Sequence, residues 1–184
     1  MAAITLRPTS ASGDSWSNIA NAYDGDKSTS ATVTTSSDNY SSMAGTFNFD
    51  TSVIPRGSTI NSATLYVRCK SGSTNRHTLY ADINGSSSSR VINVTIDKTT
   101  TNRMGDVTSY MSNLNSVVLQ VKNSISIGYD FTLYEIYIEV DYTESTTPTS
   151  TLNIKLGATT INNICIGNTK VTKVYIGNTL VFEN

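Results

Sequence analysis

Two carboxylates and a hydroxyl cluster around a glycine in segment 21–29. Asp24 and Asp26 flank Gly25, and Thr29 follows three residues after Asp26. Several oxygen ligands at close range suit a hard cation such as calcium. A plain Asp-Gly turn, with its carboxylates in water, is the alternative, because calcium loops normally carry more acidic residues than this.

The other residue types that carry enzyme chemistry do not form a catalytic pattern. His77 is the single histidine and begins a predicted strand, with no nucleophile in a recognisable setting around it. Glu135 and Glu139 fall on one face of a predicted strand, where neighbouring acids usually stay solvated rather than cleave glycosidic bonds. The sequence has no Gly-rich phosphate loop, zinc-ligand spacing or nucleophile elbow. We therefore expect a protein that is not an enzyme.

The composition excludes several classes of partner. The chain has 184 residues, a formal net charge of -1 and no block of Lys or Arg, so neither nucleic acid nor an anionic membrane is expected. No apolar run approaches the roughly 18 residues that span a bilayer. The N-terminus lacks the basic stretch and long apolar core of a signal peptide, which predicts synthesis in the cytosol. Cys69 and Cys165 are too few for a disulfide framework.

Apolar and polar side chains alternate through residues 1–143 with the period of two that is typical of half-buried β-strands. The longest alternation places the even positions of 134–142, from Tyr134 to Tyr142, on one apolar face. Shorter runs bring the number of predicted strands to about eight, with one short helix at 106–111 that Asp106 would cap. Strands without crossover helices must pair antiparallel, which predicts an all-β jelly-roll sandwich, with a closed barrel as the alternative.

A Thr-rich connector and a ten-residue repeat follow the predicted strands. Residues 144–151 contain no apolar side chain, as in an extended, solvated linker. Gly157, Gly167 and Gly177 then recur every ten residues and suit tight hairpin turns. The predicted organisation is a jelly roll at 1–143, a linker at 144–151 and a β-repeat module at 152–184.

The repeat module is too small to bury its own apolar side chains. Domains below about 40 residues usually need disulfides, metals or oligomerisation. We expect the module to self-associate, with a trimer as the first guess because three copies share one axial core; packing on its own jelly roll is the alternative. The residues assigned to this interface are Ile166, Val174, Ile176, Val181 and Phe182.

Two passages resemble known families. Segment 46–67, with Ile-Pro-Arg-Gly at 54–57, resembles carbohydrate-binding-module-like jelly rolls in surface proteins and in accessory virion proteins of phages that infect Gram-positive bacteria. Segment 174–182 is similar to the terminal repeats of phage tail and head-fibre proteins. The resemblance implies a non-enzymatic virion protein, a capsid decoration or head fibre or a tail or baseplate appendage, which contacts other virion proteins and aids adhesion to host-surface glycans. A carbohydrate-binding module of a bacterial surface protein is the alternative.

The Asp24 turn itself is similar to the calcium turn of discoidin-type and related galactose-binding jelly rolls. That resemblance implies calcium as a cofactor, held by Asp24, Asp26 and Thr29 together with Glu139 from the last strand. For glycan contact, the sequence offers Trp16 and Tyr40 as aromatic candidates in exposed loops.

Overall fold

The computed structural model describes residues 1–35, 42–74, 77–123 and 128–144, together with short strand segments between 155 and 183. The chain divides into two compact units, Met1–Ser145 and Thr146–Asn184. Within the described residues, no helix has the length and apolar character needed to cross a membrane. The glycan candidate Tyr40 and all of the predicted linker except Glu144 lie outside the described residues.

The described part of the first unit is built almost entirely of strands. Three single-turn 3-10 helices lie at Ile19–Ala22, Ser87–Ser89 and Thr108–Tyr110. The strands are β1 Ala2–Leu6, β2 Ser10–Ser12, β3 Trp16–Ser17, β4 Ala31–Thr34, β5 Ser42–Asn48, β6 Thr59–Ser71, β7 His77–Ile83, β8 Arg90–Ile96, β9 Thr101–Asp106, β10 Ser116–Asn123 and β11 Asp130–Thr143.

These strands form two antiparallel sheets. The larger sheet has the order β3-β4-β11-β6-β9, and β1 also pairs with β11. The smaller sheet has the order β2-β5-β10-β7-β8. The predicted fold class, an all-β jelly-roll sandwich, is confirmed, and the barrel alternative is wrong because the strands divide between two separate sheets.

The core lies between the two sheets and follows the alternation of the sequence. In β10, and in β6 from Ala63 onward, every second side chain is buried and the intervening ones are half-exposed. Cys69 is a fully buried free thiol, and burial raises its pKa to about 12, so it behaves as a small apolar side chain. The largest fully buried side chains are Phe47, Phe131, Leu65, Leu79, Ile83, Ile96, Leu119, Leu133, Ile136, Ile138, His77 and Glu135.

Three strands of the first unit were not expected from the sequence. β2 and β3 contain three and two residues, too few to show a period. β9 reads Thr-Asn-Arg-Met-Gly-Asp and lies at the edge of the larger sheet, so it buries little apolar surface. The helix expected at 106–111 is only a single 3-10 turn, and the carboxylate of Asp106 accepts the Thr108 N–H at 2.9 Å.

The alternation in β11 is interrupted by a β-bulge, which corrects the predicted position of Tyr134. The register with β6 shifts between Leu133 and Glu135. Leu133 before the shift and Ile136 after it are both buried, whereas Tyr134 is half-exposed. A bulge adds one residue to a strand and reverses the faces of those that follow. Glu135, the first residue after the shift, pairs with the outward residue Arg68 and is nevertheless buried, with only 2% of its surface exposed.

The described segments of the second unit form three short antiparallel pairs. Lys155–Leu156 pairs with Thr159–Thr160, Cys165–Ile166 with Thr169–Lys170, and Lys173–Ile176 with Thr179–Glu183. The antiparallel pairing expected on the two sides of each repeat glycine is confirmed, and the turn residues themselves lie outside the described residues. The side chains of Ile166, Val174, Ile176, Val181 and Phe182 lie outside what the structure describes, and their interface stays a prediction.

Candidate functional site

Trp16 is a core residue, so its prediction as an exposed-loop aromatic is wrong. Only 8% of its surface is exposed, and its ring meets Phe47 and Phe131 edge-on, with centroids at 6.5 and 6.1 Å. The indole fills a space that Gly45 on β5 leaves open, since a Cβ on Gly45 would lie 3.0 Å from Trp16 Nε1. Trp16 is therefore not available to stack against a sugar.

The Asp24 turn gathers oxygen atoms around one hydroxyl. Thr29 Oγ1 lies 2.8 Å from Asp24 Oδ2, 3.0 Å from the Asp26 carbonyl oxygen and 3.4 Å from the Asn21 carbonyl oxygen. Gly25 allows this close turn because its φ is +87°. A hydroxyl has one hydrogen and cannot donate to three acceptors at once. These four oxygens fit the ligand set of a hard cation.

The two carboxylates of this turn have different roles. The Asp24 carboxylate accepts the Asp26 N–H at 2.8 Å through its other oxygen, Oδ1. Asp26 Oδ1 accepts the Ser28 hydroxyl at 2.6 Å and its N–H at 2.8 Å, and these bonds hold the Asp26 pKa below its ordinary value. Asp24 and Thr29 therefore contribute side-chain oxygens to this cluster, whereas Asp26 contributes its carbonyl oxygen.

Glu139, the expected fourth ligand, is not brought to the turn. It is exposed and aligned in register with Thr5 and Thr64. The part of β11 that lies nearest the turn is Glu135 rather than Glu139. Arg68 NH1 lies 3.5 Å from the Lys27 carbonyl oxygen, and Arg68 pairs in register with Glu135. Glu135 lies four residues before Glu139, about 13 Å along the strand. This corrects the expected role of Glu139.

Arg7 lies between the turn and Glu135. Arg7 NH2 donates to Glu135 Oε1 at 3.3 Å, and a Cβ on Gly25 would lie 3.7 Å from Arg7 Cζ. Glu135 is therefore a buried carboxylate, and its positive counter-charge is the guanidinium of Arg7, the residue that directly follows β1. The alternation of β11 places Glu135 on the polar face but does not predict an ion pair with a residue as distant in the sequence as Arg7.

His77 is buried between two hydroxyl groups. Its Nδ1 lies 2.8 Å from Ser71 Oγ and its Nε2 lies 3.1 Å from Thr35 Oγ1. Burial lowers the His77 pKa, which keeps the ring neutral. Because the ring is enclosed and faces Phe131 edge-on at 5.9 Å, it has a structural role rather than that of a general base. Among the described residues, no three His, Cys, Asp or Glu side chains form a metal-binding group.

The outer surface of the smaller sheet carries a polar network beside an aromatic ring. Asp82 is fully buried, and its carboxylate accepts Arg90 Nε at 2.7 Å, Arg90 NH2 at 3.0 Å and Gln120 Nε2 at 3.3 Å. The guanidinium of Arg90 lies 4.0 Å above the centroid of the Tyr80 ring. The hydrogen bonds to Asp82 raise the Arg90 pKa. We call this surface the Tyr80 face; its other outward residues are Ala44, Thr46, Thr78, Asn93, Thr95, Val118 and Lys122.

A register shift builds this network. The pairing of β7 with β8 shifts between Ala81 and Asp82, which sets Asp82 opposite Arg90. Tyr80 pairs with Asn93 on one side and with Gln120 on the other, so the ring lies between two amides. The period of two already places Tyr80 and Asp82 on the polar side of β7. The pattern within β7 does not predict that β8 is its partner or in which register the two strands pair.

No known family model and no curated protein sequence matches the chain. Solved structures similar to it include the family 32 CBM from C. perfringens NanJ in complex with galactose, at 11% identity and a TM-score of 0.44, covering 74% of this chain and 99% of that one. CBM29_1 from Piromyces equi is similar at 11% identity and a TM-score of 0.40, covering 76% and 91%. The CBM35 from Cellvibrio japonicus Abf62 is similar at 16% identity and a TM-score of 0.39, covering 76% and 93%. A truncated AlyQ with CBM32 and alginate lyase domains is similar at 11% identity and a TM-score of 0.45, but the chain covers only 34% of it.

Proposed function

We propose that the N-terminal unit is a non-enzymatic carbohydrate-binding module and that its ligand binds at the Tyr80 face. The observation that carries this proposal is the network of Asp82, Arg90 and Gln120, which holds a guanidinium and an amide in fixed positions beside an aromatic ring. Groups that are fixed before binding lose less conformational entropy when a ligand arrives.

The chemistry of the Tyr80 face suits a neutral sugar. Asp82 balances the charge of Arg90, so the face does not present an unpaired cation that would select an anionic ligand. Amide, hydroxyl and guanidinium groups pair with sugar hydroxyls, and the small side chain of Ala44 leaves room beside its register partner Gln120.

A glycan array probed with the full chain tests this proposal. Tyr80→Ala should reduce binding to the best neutral glycan by about tenfold, because the Tyr80 ring supports the Arg90 guanidinium and a cation–π contact of this kind contributes on the order of 1 kcal/mol. Tyr134→Ala is the matched control, because Tyr134 is a half-exposed tyrosine on the other sheet, and it should bind like the unmodified chain. If the Tyr80→Ala protein bound the glycan as strongly as the unmodified chain, the Tyr80 face would not be the binding site.

We propose further that this module is carried on a phage particle, made in the host cytoplasm and released by lysis. The support is the resemblance of segments 46–67 and 174–182 to accessory virion proteins, together with hairpins at the repeat glycines. The C-terminal unit would attach the module to other virion proteins. A bacterial surface protein is the alternative. Antibodies against the N-terminal unit should label purified particles, whereas labelling of cell envelopes in uninfected cultures would favour the alternative.

We also propose that the Asp24 turn holds a calcium ion. Asp24 Oδ2, Thr29 Oγ1 and the carbonyl oxygens of Asn21 and Asp26 would be its ligands, and the ion would fix the turn rather than take part in chemistry. Arg7 is the natural competitor of this ion, because its guanidinium lies beside Gly25.

A further inference from the structure

Arg7 lies close to the Asp24 turn and to two side chains of β11. Its Cζ is 5.5 Å from the centroid of the Tyr137 ring, and a Cβ on Gly25 would lie 3.7 Å from the same atom. Arg7 NH2 lies 3.3 Å from Glu135 Oε1. One guanidinium is therefore next to both a buried carboxylate and the turn that carries the proposed calcium ligands.

The ion pair between Arg7 and Glu135 leaves part of the guanidinium unused. It has one hydrogen bond, at 3.3 Å, whereas Arg90 makes two bonds to Asp82, at 2.7 and 3.0 Å. Arg7 NH1 is buried and has no hydrogen-bond partner among the described residues. A guanidinium with spare N–H donors and a single long bond can turn toward another carboxylate, because no second bond fixes its plane. The charge of Glu135, rather than a rigid geometry, therefore holds Arg7 in its position.

Glu135 in turn needs Arg7 as its counter-charge. The side chain of Glu135 is only 3% exposed, and an ionised carboxylate in such a position is costly without a partner. Arg68 pairs in register with Glu135, but it donates to the Lys27 carbonyl oxygen at 3.5 Å. Arg7 is therefore the arginine that neutralises Glu135.

We propose that Glu135 is a positioning residue that keeps Arg7 away from the carboxylate of Asp24, and so leaves that carboxylate available to calcium. Among the ion pairs of the described residues, Arg7 has one with Glu135, whereas Asp24 and Asp26 have none. A guanidinium on Asp24 would neutralise its charge and repel a second cation from the turn. This role of Glu135 rests on the proposed calcium site and adds to it a residue that is not one of the ligands.

Isothermal titration calorimetry of the full chain with calcium chloride tests this role. Glu135→Gln keeps the shape of the side chain but removes its charge, so Arg7 should turn to Asp24. If Arg7 occupies Asp24 in about nine of ten molecules, the apparent calcium affinity falls about tenfold, because only the remaining molecules bind the ion. Glu139→Gln is the matched control, since it removes the same charge from an exposed position of the same strand and should bind calcium like the unmodified chain. Equal affinities of Glu135→Gln and the control would overturn the proposal.

A second substitution distinguishes an effect through Arg7 from a direct effect of the Glu135 charge on the ion. In an Arg7→Gln background there is no guanidinium to hold, so adding Glu135→Gln should change the calcium affinity by less than about twofold. The double variant should therefore bind calcium about tenfold more tightly than Glu135→Gln alone. The melting temperature without calcium checks that each variant is folded. A tenfold loss that persists in the Arg7→Gln background would show that Glu135 acts through its own charge, and the proposal would be wrong.

Failure of the calcium site itself gives a different result from failure of this inference. If neither the unmodified chain nor the Arg7→Gln chain binds calcium, the proposed calcium site is wrong, and the role of Glu135 is wrong with it. If the unmodified chain binds calcium and Glu135→Gln binds it equally well, the site stands and the role of Glu135 alone is overturned.

Discussion

Arg90 and Asp82 form a two-bonded ion pair across β7 and β8, in which the carboxylate is fully buried and the side chain of Arg90 is 28% exposed. The two bonds, at 2.7 and 3.0 Å, fix the plane of the guanidinium, and that plane covers the Tyr80 ring. A structural ion pair therefore also shapes the proposed binding surface.

Removing Arg90 should destabilise the domain because it leaves a buried carboxylate without its counter-charge. We expect Arg90→Met to lower the free energy of unfolding by about 2 to 4 kcal/mol, less than for a fully buried pair because Arg90 is part-exposed. Urea denaturation measures the change. Arg56→Met, at an exposed loop arginine, is the control and should change stability by less than about 0.5 kcal/mol. If the free energy of unfolding of Arg90→Met fell as little as that of the control, water would be solvating the negative charge of Asp82 in place of Arg90.

Stability should fall as the pH is lowered from about 6.5, the ordinary pKa of histidine. Burial lowers the pKa of folded His77, so the unfolded chain binds a proton below 6.5 while the folded chain does not, and protonation favours unfolding. The nearby Asp130 and the Tyr129 carbonyl act in the opposite direction but do not reverse the shift. His77→Gln should remove this slope between pH 6.5 and 5, since the sequence has one histidine. Thermal unfolding at a series of pH values measures it, and an unchanged slope in His77→Gln would assign it to other groups.

Calcium should raise the melting temperature relative to the protein in EDTA, because a ligand that binds only the folded state stabilises it by mass action. Asp24→Ala should abolish the difference. Asp50→Ala is the matched control, since Asp50 makes a similar turn with Ser52 and should retain the calcium response. Arg7→Gln should increase the response by removing a competing cation. The same melting temperature with calcium and with EDTA would leave the Asp24 turn as a plain Asp-Gly turn.

The C-terminal unit should assemble full-length chains into trimers, and a chain that ends at Thr143 should lose this assembly. Burial of apolar side chains drives the association, so it should persist in about 1 M salt, where association through exposed charges is screened. Sedimentation equilibrium of both chains at low and high salt measures it. A full-length chain that remains monomeric at tens of micromolar would mean that the repeat module packs against its own domain or needs another protein.

The sequence predicted those parts of the fold that depend on local periodicity. In β10, and in β6 from Ala63 onward, one face is continuously buried, so the pattern of two locates these strands and their inward residues. The sequence did not predict β9, because β9 is an edge strand whose core-facing positions include Gly105 rather than a large apolar residue.

The candidate sites depend on contacts between distant segments, which explains what the sequence did not predict. Trp16 is buried because Gly45, on another strand, leaves space for it. Glu135 lies on the polar face that the alternation predicts, but its ion pair with Arg7, 128 residues away in the sequence, is not encoded in its own strand. Asp82 meets Arg90 only through a register shift between two strands. In each case, the decisive information is which backbone lies alongside, and a single strand does not encode it.

The position of β11 in the larger sheet has a consequence for synthesis on the ribosome. β11 is the last strand of its unit, yet it pairs with β1, β4 and β6, so the first strand of the chain has no partner until residues 138–142 have been made. Such long-range pairing folds slowly and leaves strand edges open to neighbouring nascent chains. The hydroxyl-rich loops that separate the early strands would limit aggregation during this interval, and the repeat module emerges only after β11 has been made.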